Sequence, residues 1–219
     1  MTMTLPSYSQ GVMLTGKQVP SVRVVPEYEE TDGRDAALLL RFGDFLLDPW
    51  QNTTIDDWMA TQDGLWVCRT CGLSIPRQNG KTGLLQGRAA AGMIMHNEQV
   101  IYTAHLQKTS TETFEEMASF FESPKIKKYL KDVKTALGRE QIILKNGARI
   151  KFLARTRNGG RGQHGDTLIF DEAQELDVNS QASFIPAISA SRNPQVIYAG
   201  TPPDGESAGE VFRGIRAKA

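Results

Sequence analysis

The stretch "SIPRQNGKT" (74–82) decides how the rest of the chain is read. It closes in Gly80-Lys81-Thr82, the end of the phosphate-binding pattern G-x-x-x-x-G-K-[ST]. Ile75 stands where the first glycine of that pattern belongs, and Arg77 lies inside the loop. The β-prone run "LWVCRTCGLSI" (65–75) leads in, and the helical pattern "KTGLLQGRAAAGMIMH" (81–96) leads out. A strand entering and a helix leaving aim backbone N–H groups and the positive helix end at one point, which suits a phosphate. In this reading Gln78, Asn79, Gly80, Lys81 and Thr82 line a nucleotide. Lys81 reaches its β- and γ-phosphates, and the Thr82 hydroxyl coordinates Mg²⁺. A helix-capping turn carrying an exposed lysine is the competing reading of these residues alone.

A second element sits about ninety residues on. "LIFDE" (168–172) places Asp171 and Glu172 directly after an apolar strand. Strand C-terminal ends gather along one edge of a doubly wound sheet, so Asp171 is expected beside Thr82, holding Mg²⁺ directly or through water. Glu172 is then positioned to orient or deprotonate an attacking water. A pair of acids at a helix start, favoured by the helix dipole, is the plainer alternative. A third element, "VIYAGTP" (196–202), ends a strand on Thr201, whose hydroxyl can sense a γ-phosphate; a simple turn before Pro202-Pro203 fits as well.

Working outward, strands alternate with helices: helical patterns at 32–47 and 52–62, a strand at 99–104, helices at 107–123 and 125–134, and strands at 167–170 and 195–200. "EQIILKNGARIKFLA" (140–154) is a hairpin signal around Asn146-Gly147. Short continuous apolar strands between helices predict an α/β fold, a mostly parallel sheet covered on both faces, plus this β-hairpin. Residues 1–31 read as an extended arm, 32–205 as one domain, and 206–219 as a C-terminal helix or the start of a linker.

The chain has 219 residues, 40% apolar, with 25 basic and 25 acidic side chains. Balanced charge excludes a surface that coats nucleic acid throughout, while leaving room for local basic patches at 125–134 and 145–161. No apolar run is long enough for a membrane span, and "MTMTLPSYSQ" lacks the features of a signal peptide, so a cytosolic location is expected. Cys68 and Cys71 form a lone C-x-x-C without the two further ligands of a zinc site; on one strand they point to opposite faces.

Taken in order, "DPWQ" (48–51), "RQNGKT" (77–82), "YTAHLQKTSTETF" (102–114), "GREQIILKNGARIKFLARTRNGGRG" (138–162), "LIFDEAQEL" (168–176) and "VIYAGTPP" (196–203) resemble the ATPase domain of large terminase subunits, the DNA-packaging motors of tailed bacteriophages. The resemblance spans about 45–205. It implies a P-loop NTPase of the ASCE type that binds ATP and Mg²⁺ and hydrolyses ATP to move double-stranded DNA into a procapsid. It gives Arg77 a contact to the nucleotide phosphates in cis, and Gln51 the reading of the adenine ring; Trp50 packs near the base or simply in the core.

It also implies an arginine supplied by the neighbouring subunit of a homo-oligomeric ring. Arg161, between Gly160 and Gly162, is the candidate, with Arg157 and Arg155 next; a solvated loop or a DNA-phosphate contact is the alternative for this segment. Portal protein and small terminase subunit are the implied partners, and the cytoplasm of the infected bacterial host the implied location. Family members carry a C-terminal nuclease domain for which this chain leaves no room, so an ATPase fragment or a nuclease on a separate chain is expected. A helicase-like ATPase and a nucleotide-binding assembly module with negligible turnover are the two alternatives in function.

Overall fold

Five short runs rich in β-branched and aromatic residues lie side by side as parallel strands in the computed structural model, which describes residues 16–136, 138–156, 159–202 and 209–218. They are β4 (Thr70–Ser74), β5 (Gln99–Ala104), β8 (Arg149–Ala154), β9 (Thr167–Phe170) and β10 (Gln195–Gly200). Two antiparallel strands, β6 (Leu130–Lys134) and β7 (Gln141–Leu144), extend the same sheet, whose order is β4-β10-β9-β5-β8-β7-β6. Strand β10 thus separates the strand that enters the glycine-lysine loop from the strand that ends in Asp171, as the ASCE arrangement requires.

Side chains alternate across this sheet with the period of two that strands impose. Val100, Tyr102, Ile169, Ile197 and Ala199 join one apolar core; Ile101, Leu168, Phe170, Val196 and Tyr198 join a second core on the opposite face. The first is covered by α1 (Gly33–Phe42), α2 (Pro49–Trp58), α3 (Lys81–His96) and α4 (Gln107–Glu122). The second is covered by α5 (Val178–Phe184) and α6 (Glu210–Lys218). Each fully buried Phe or Ile stabilises this sandwich by about 1.5–3 kcal/mol, so the strand ends that carry the chemistry rest on a rigid platform.

Three local expectations are corrected. The run 65–75 is not one strand: β3 (Leu65–Trp66) pairs with β2 (Ala60–Gln62), which pairs with β1 (Glu30–Thr31) in a separate sheet. The chain switches sheets at 67–69, where the Gln195 amide donates to the Cys68 carbonyl and Val196 N–H to Arg69 O. Cys68 therefore lies off the strand, whereas Cys71 is buried in β4; both are free thiols, and burial pushes the Cys71 thiol well above its ordinary value. The thiolate needed for redox or metal chemistry is disfavoured there.

Residues 125–134 do not form a helix. After Pro124 the chain turns and pairs as β6 with the open edge of β7, matching Val133 to Ile142 and Leu130 to Leu144. Covering Leu130 and Val133 outweighs a short helical pattern, while exposed Lys131 and Lys134 keep this edge from pairing further. Finally, "DPWQ" starts α2 rather than interrupting a helix: Asp48 is the N-cap, Pro49 takes the first turn, and Gln51 completes a capping box with Asp48. The expected hairpin is present, with Gly147 at φ 94° in its turn. The proposed boundary at 205–206 and residues 1–15 of the arm lie outside the described residues.

Candidate nucleotide site

The loop after β4 has a physical reason to dispense with its first glycine. Among the described non-glycine residues with positive φ are Gln78, at 60°, and Glu172, but not Ile75. Ile75 continues the strand direction, its N–H donating to Gly200 O. The left-handed turns fall instead on Gln78 and on Gly80, at φ 76°. Gly80 is fixed twice, because a Cβ there would stand 2.9 Å from the Gln51 amide nitrogen. Asn79 folds back on the loop, donating to the carbonyls of Pro76 and Arg77, and Arg77 itself is exposed.

Helix α3 begins at Lys81, and its first two side chains meet the acid at the end of β9. The Lys81 ammonium is ion-paired with Asp171 Oδ1, and Thr82 Oγ1 lies 3.3 Å from Asp171 Oδ2. Asp171 is only 1% exposed, so its charge needs these partners. Two more are the Tyr102 hydroxyl, at a position the sequence did not mark, which donates to Oδ2 at 2.5 Å, and the Glu172 N–H, which donates to Oδ1 at 2.7 Å. Burial, and then the neighbouring Asp171 charge, push the Tyr102 phenol well above its ordinary value, keeping it a donor. The signal that could have found Tyr102 is a phenol placed inside an apolar strand, since a buried hydroxyl needs a partner.

Glu172 follows in a left-handed conformation, φ 50° and ψ 46°, and is half-buried. Its Oε2 accepts from the His105 N–H at the end of β5, at 3.3 Å. Gln174, two residues on, accepts the Thr201 N–H at 3.1 Å, tying the end of β10 to the acidic turn. Gln51 is buried; its Oε1 accepts from Asp48 N–H and its Nε2 donates to Gly80 O at 2.8 Å. One amide N–H and one lone pair remain uncommitted by these two bonds. Trp50 packs against the first core.

The structure therefore brings together Gln51, Gly80, Lys81, Thr82, Asp171, Glu172 and, through Gln174, Thr201 around the C-terminal edge of the sheet. It separates two of the three arginines that the sequence grouped, Arg161 and Arg155. Arg161 is exposed on a loop facing an open groove of about 700 Å³, with Gln163, His164, Asn179 and Ser183 among its lining. Arg155 is directed into its own chain: its guanidinium donates to the carbonyls of Asp171, at 2.5 Å, and Glu172, at 2.9 Å. Arg157 lies outside the described residues.

A family model described as "Terminase large subunit, T4likevirus-type, N-terminal" matches residues 73–209, more than half of the chain. This chain belongs to that family. Among solved structures, the terminase domain is similar to the HK97 bacteriophage large terminase, with a TM-score of 0.71 and 20% identity over 86% of this chain. It is also similar to the large terminase ATPase domain of Thermus phage P74-26, with a TM-score of 0.58 and 13% identity over 77% of this chain and 69% of that one. At these identities the likeness is one of fold. The terminase domain spans 42% of the HK97 protein's length. No curated protein matches it by sequence. Among its described residues no helix is long and apolar enough to cross a membrane.

Proposed function

We propose that this terminase domain hydrolyses ATP with Mg²⁺ and that hydrolysis drives double-stranded viral DNA into a procapsid. The observation that carries this reading is the meeting of Lys81, Thr82 and Asp171, with Glu172 directly following. A hydroxyl and a carboxylate are hard oxygen donors, and Mg²⁺ keeps several positions for phosphate oxygens and water rather than filling its shell with protein. The Thr82 hydroxyl and the Asp171 carboxylate are a donor set of that kind. Asp171 already holds a cation, the Lys81 ammonium. Bound Mg²⁺ supplies charge neutralisation on the β- and γ-phosphates.

The residues divide the remaining work. Lys81 and the exposed Arg77 take the phosphates, Arg77 as a planar bidentate donor. Gln78, Asn79 and Gly80 shape the loop around them, and the uncommitted donor and acceptor of Gln51 face the adenine edge. Glu172 orients the attacking water and accepts its proton, a contribution of roughly 10²–10⁴ in rate. Thr201 senses the γ-phosphate and reports to the acidic turn through Gln174. Arg161 enters the site of the next subunit in a homo-oligomeric ring, as an arginine finger worth roughly 10³–10⁵ in turnover. Residues 32–205 form the ATPase domain. DNA, the portal protein and the small terminase subunit are the partners, in the cytoplasm of the infected host.

Glu172→Gln tests the assignment. It should bind ATP as tightly as the parent and lose turnover; retained turnover in E172Q would remove Glu172 from the chemistry and sink this reading.

A further inference from the structure

Past Phe170 the strand ladder ends, yet the next two carbonyls, those of Asp171 and Glu172, stay inside the protein beside a charged site. Glu172 also takes a left-handed conformation, which costs a non-glycine residue about 1–2 kcal/mol. A turn of this kind persists only where its surroundings hold it. Backbone bonds supply part of that hold, the Asp171 N–H donating to Thr103 O and the Glu175 N–H to Glu172 O, and one side chain adds two more. From the end of β8, Arg155 spreads its guanidinium under the turn, donating one nitrogen to Asp171 O and the other to Glu172 O. Its own backbone is fixed, because Arg155 N–H donates to Ala104 O at the end of β5.

We propose that Arg155 is a positioning residue for Glu172, clamping the backbone turn that aims the carboxylate at its water. The proposal rests on the reading of Glu172 as the water-activating acid. It assigns to Arg155 a role inside its own subunit, distinct from that of the exposed Arg161.

Geometry explains why an arginine stands here. Two successive carbonyls of a left-handed turn diverge, and a planar fork can bond both at once where a lysine bonds one. Burial pushes the Arg155 guanidinium down to about 10, against the pull of Glu172 and Asp171, so the group stays charged at neutral pH. Its Nε is buried without a partner among the described residues, so the side chain is placed for the two carbonyls at the expense of its third donor.

The test compares the parent with Arg155→Lys and Arg155→Gln, alone and combined with Glu172→Gln, by fluorescent-ADP affinity, single-turnover ATP hydrolysis and hydrogen exchange of amides 171–174. The clamp predicts ADP affinity unchanged in the absence of Mg²⁺, because Arg155 bonds only the backbone of the acidic turn and not Arg77, Lys81 or Thr82. It predicts a fall in hydrolysis on the order of 10²-fold, as for a misplaced catalytic group, and faster exchange confined to 171–174. It also predicts no further loss when Arg155→Lys is added to Glu172→Gln, since Arg155 acts through that residue. Affinity and hydrolysis falling together, or losses that add in the double variant, would overturn it and leave Arg155 a general support of the fold. If the parent itself hydrolyses no ATP, the ATPase reading fails separately. The clamp is then decided by exchange alone, where unchanged protection at 171–174 in both variants refutes it.

Discussion

Lys81 and Asp171, ninety positions apart, are held together as an ion pair at the mouth of the phosphate loop. The lysine that should meet a nucleotide's phosphates is thus neutralised by the carboxylate that should help to hold Mg²⁺. Under the proposed function, nucleotide and cation should arrive as a pair, one drawing Lys81 away and the other replacing it at Asp171.

Asp171→Asn breaks this exchange while keeping an acceptor for Tyr102 and Thr82. The parent should bind ADP more tightly with Mg²⁺ than with a chelator, and the variant should lose that difference. Paired titrations with fluorescent ADP check it; an undiminished Mg²⁺ effect in the variant would remove Asp171 from the cation site.

Tyr102→Phe deletes one hydrogen bond to a buried carboxylate. Thermal unfolding of the ligand-free protein should show a loss of about 1.5–3 kcal/mol. Loosening a support of the metal-holding group should also weaken Mg²⁺ about 10–100-fold. A variant with parental Mg²⁺ affinity would show that Tyr102 serves packing alone.

Gly80→Ala meets two obstacles, the left-handed backbone and the Gln51 amide at 2.9 Å from the added carbon. The backbone conformation alone costs about 1–2 kcal/mol. Gln51→Ala removes the contact, and with it the capping box, so Gly80→Ala should cost less in the Gln51→Ala background than in the parent, read by denaturant midpoint. No cost in that background would place the whole effect in the side-chain contact.

Asp177 caps α5, accepting from Asn179 N–H, Ser180 N–H and the Ser180 hydroxyl. The Ser180 hydroxyl and then its N–H hold the carboxyl below its ordinary value. A carboxyl lowered by folding contributes stability that is complete above its unfolded value, about 3.9. That contribution disappears as pH falls through the lower folded value. Asp177→Ala should cost about 0.5–2 kcal/mol at neutral pH and little once the parent's Asp177 is protonated. Stability curves against pH that stay parallel down to acid would contradict the cap's charge.

What the sequence made legible were features written in adjacent residues: the glycine-lysine loop, the acids after an apolar strand, the hairpin turn at Asn146-Gly147, and β5, β9 and β10. Their physics is local, a strand ending where polarity begins. The features it hid depend on partners far along the chain. Residues 130–134 read as helix because their strand partner lies at 141–144. Tyr102 read as core because its acceptor is 69 positions away. Arg155 read as a runner-up for the arginine acting across subunits because nothing nearby announces that its acceptors are the carbonyls of 171 and 172. The family resemblance gave Gln51 an expected adenine contact, but nothing showed that its amide spans from the N-cap of α2 to the phosphate loop.

The most direct test of a site completed between subunits is a mixing experiment. Arg161→Ala keeps its own Glu172 and lacks the finger; Glu172→Gln keeps the finger and lacks the acid. Each should be inactive alone, and ATP turnover should reappear when they are mixed at high protein concentration. A mixture as inactive as its components, from a parent that hydrolyses ATP, would contradict Arg161 acting across subunits.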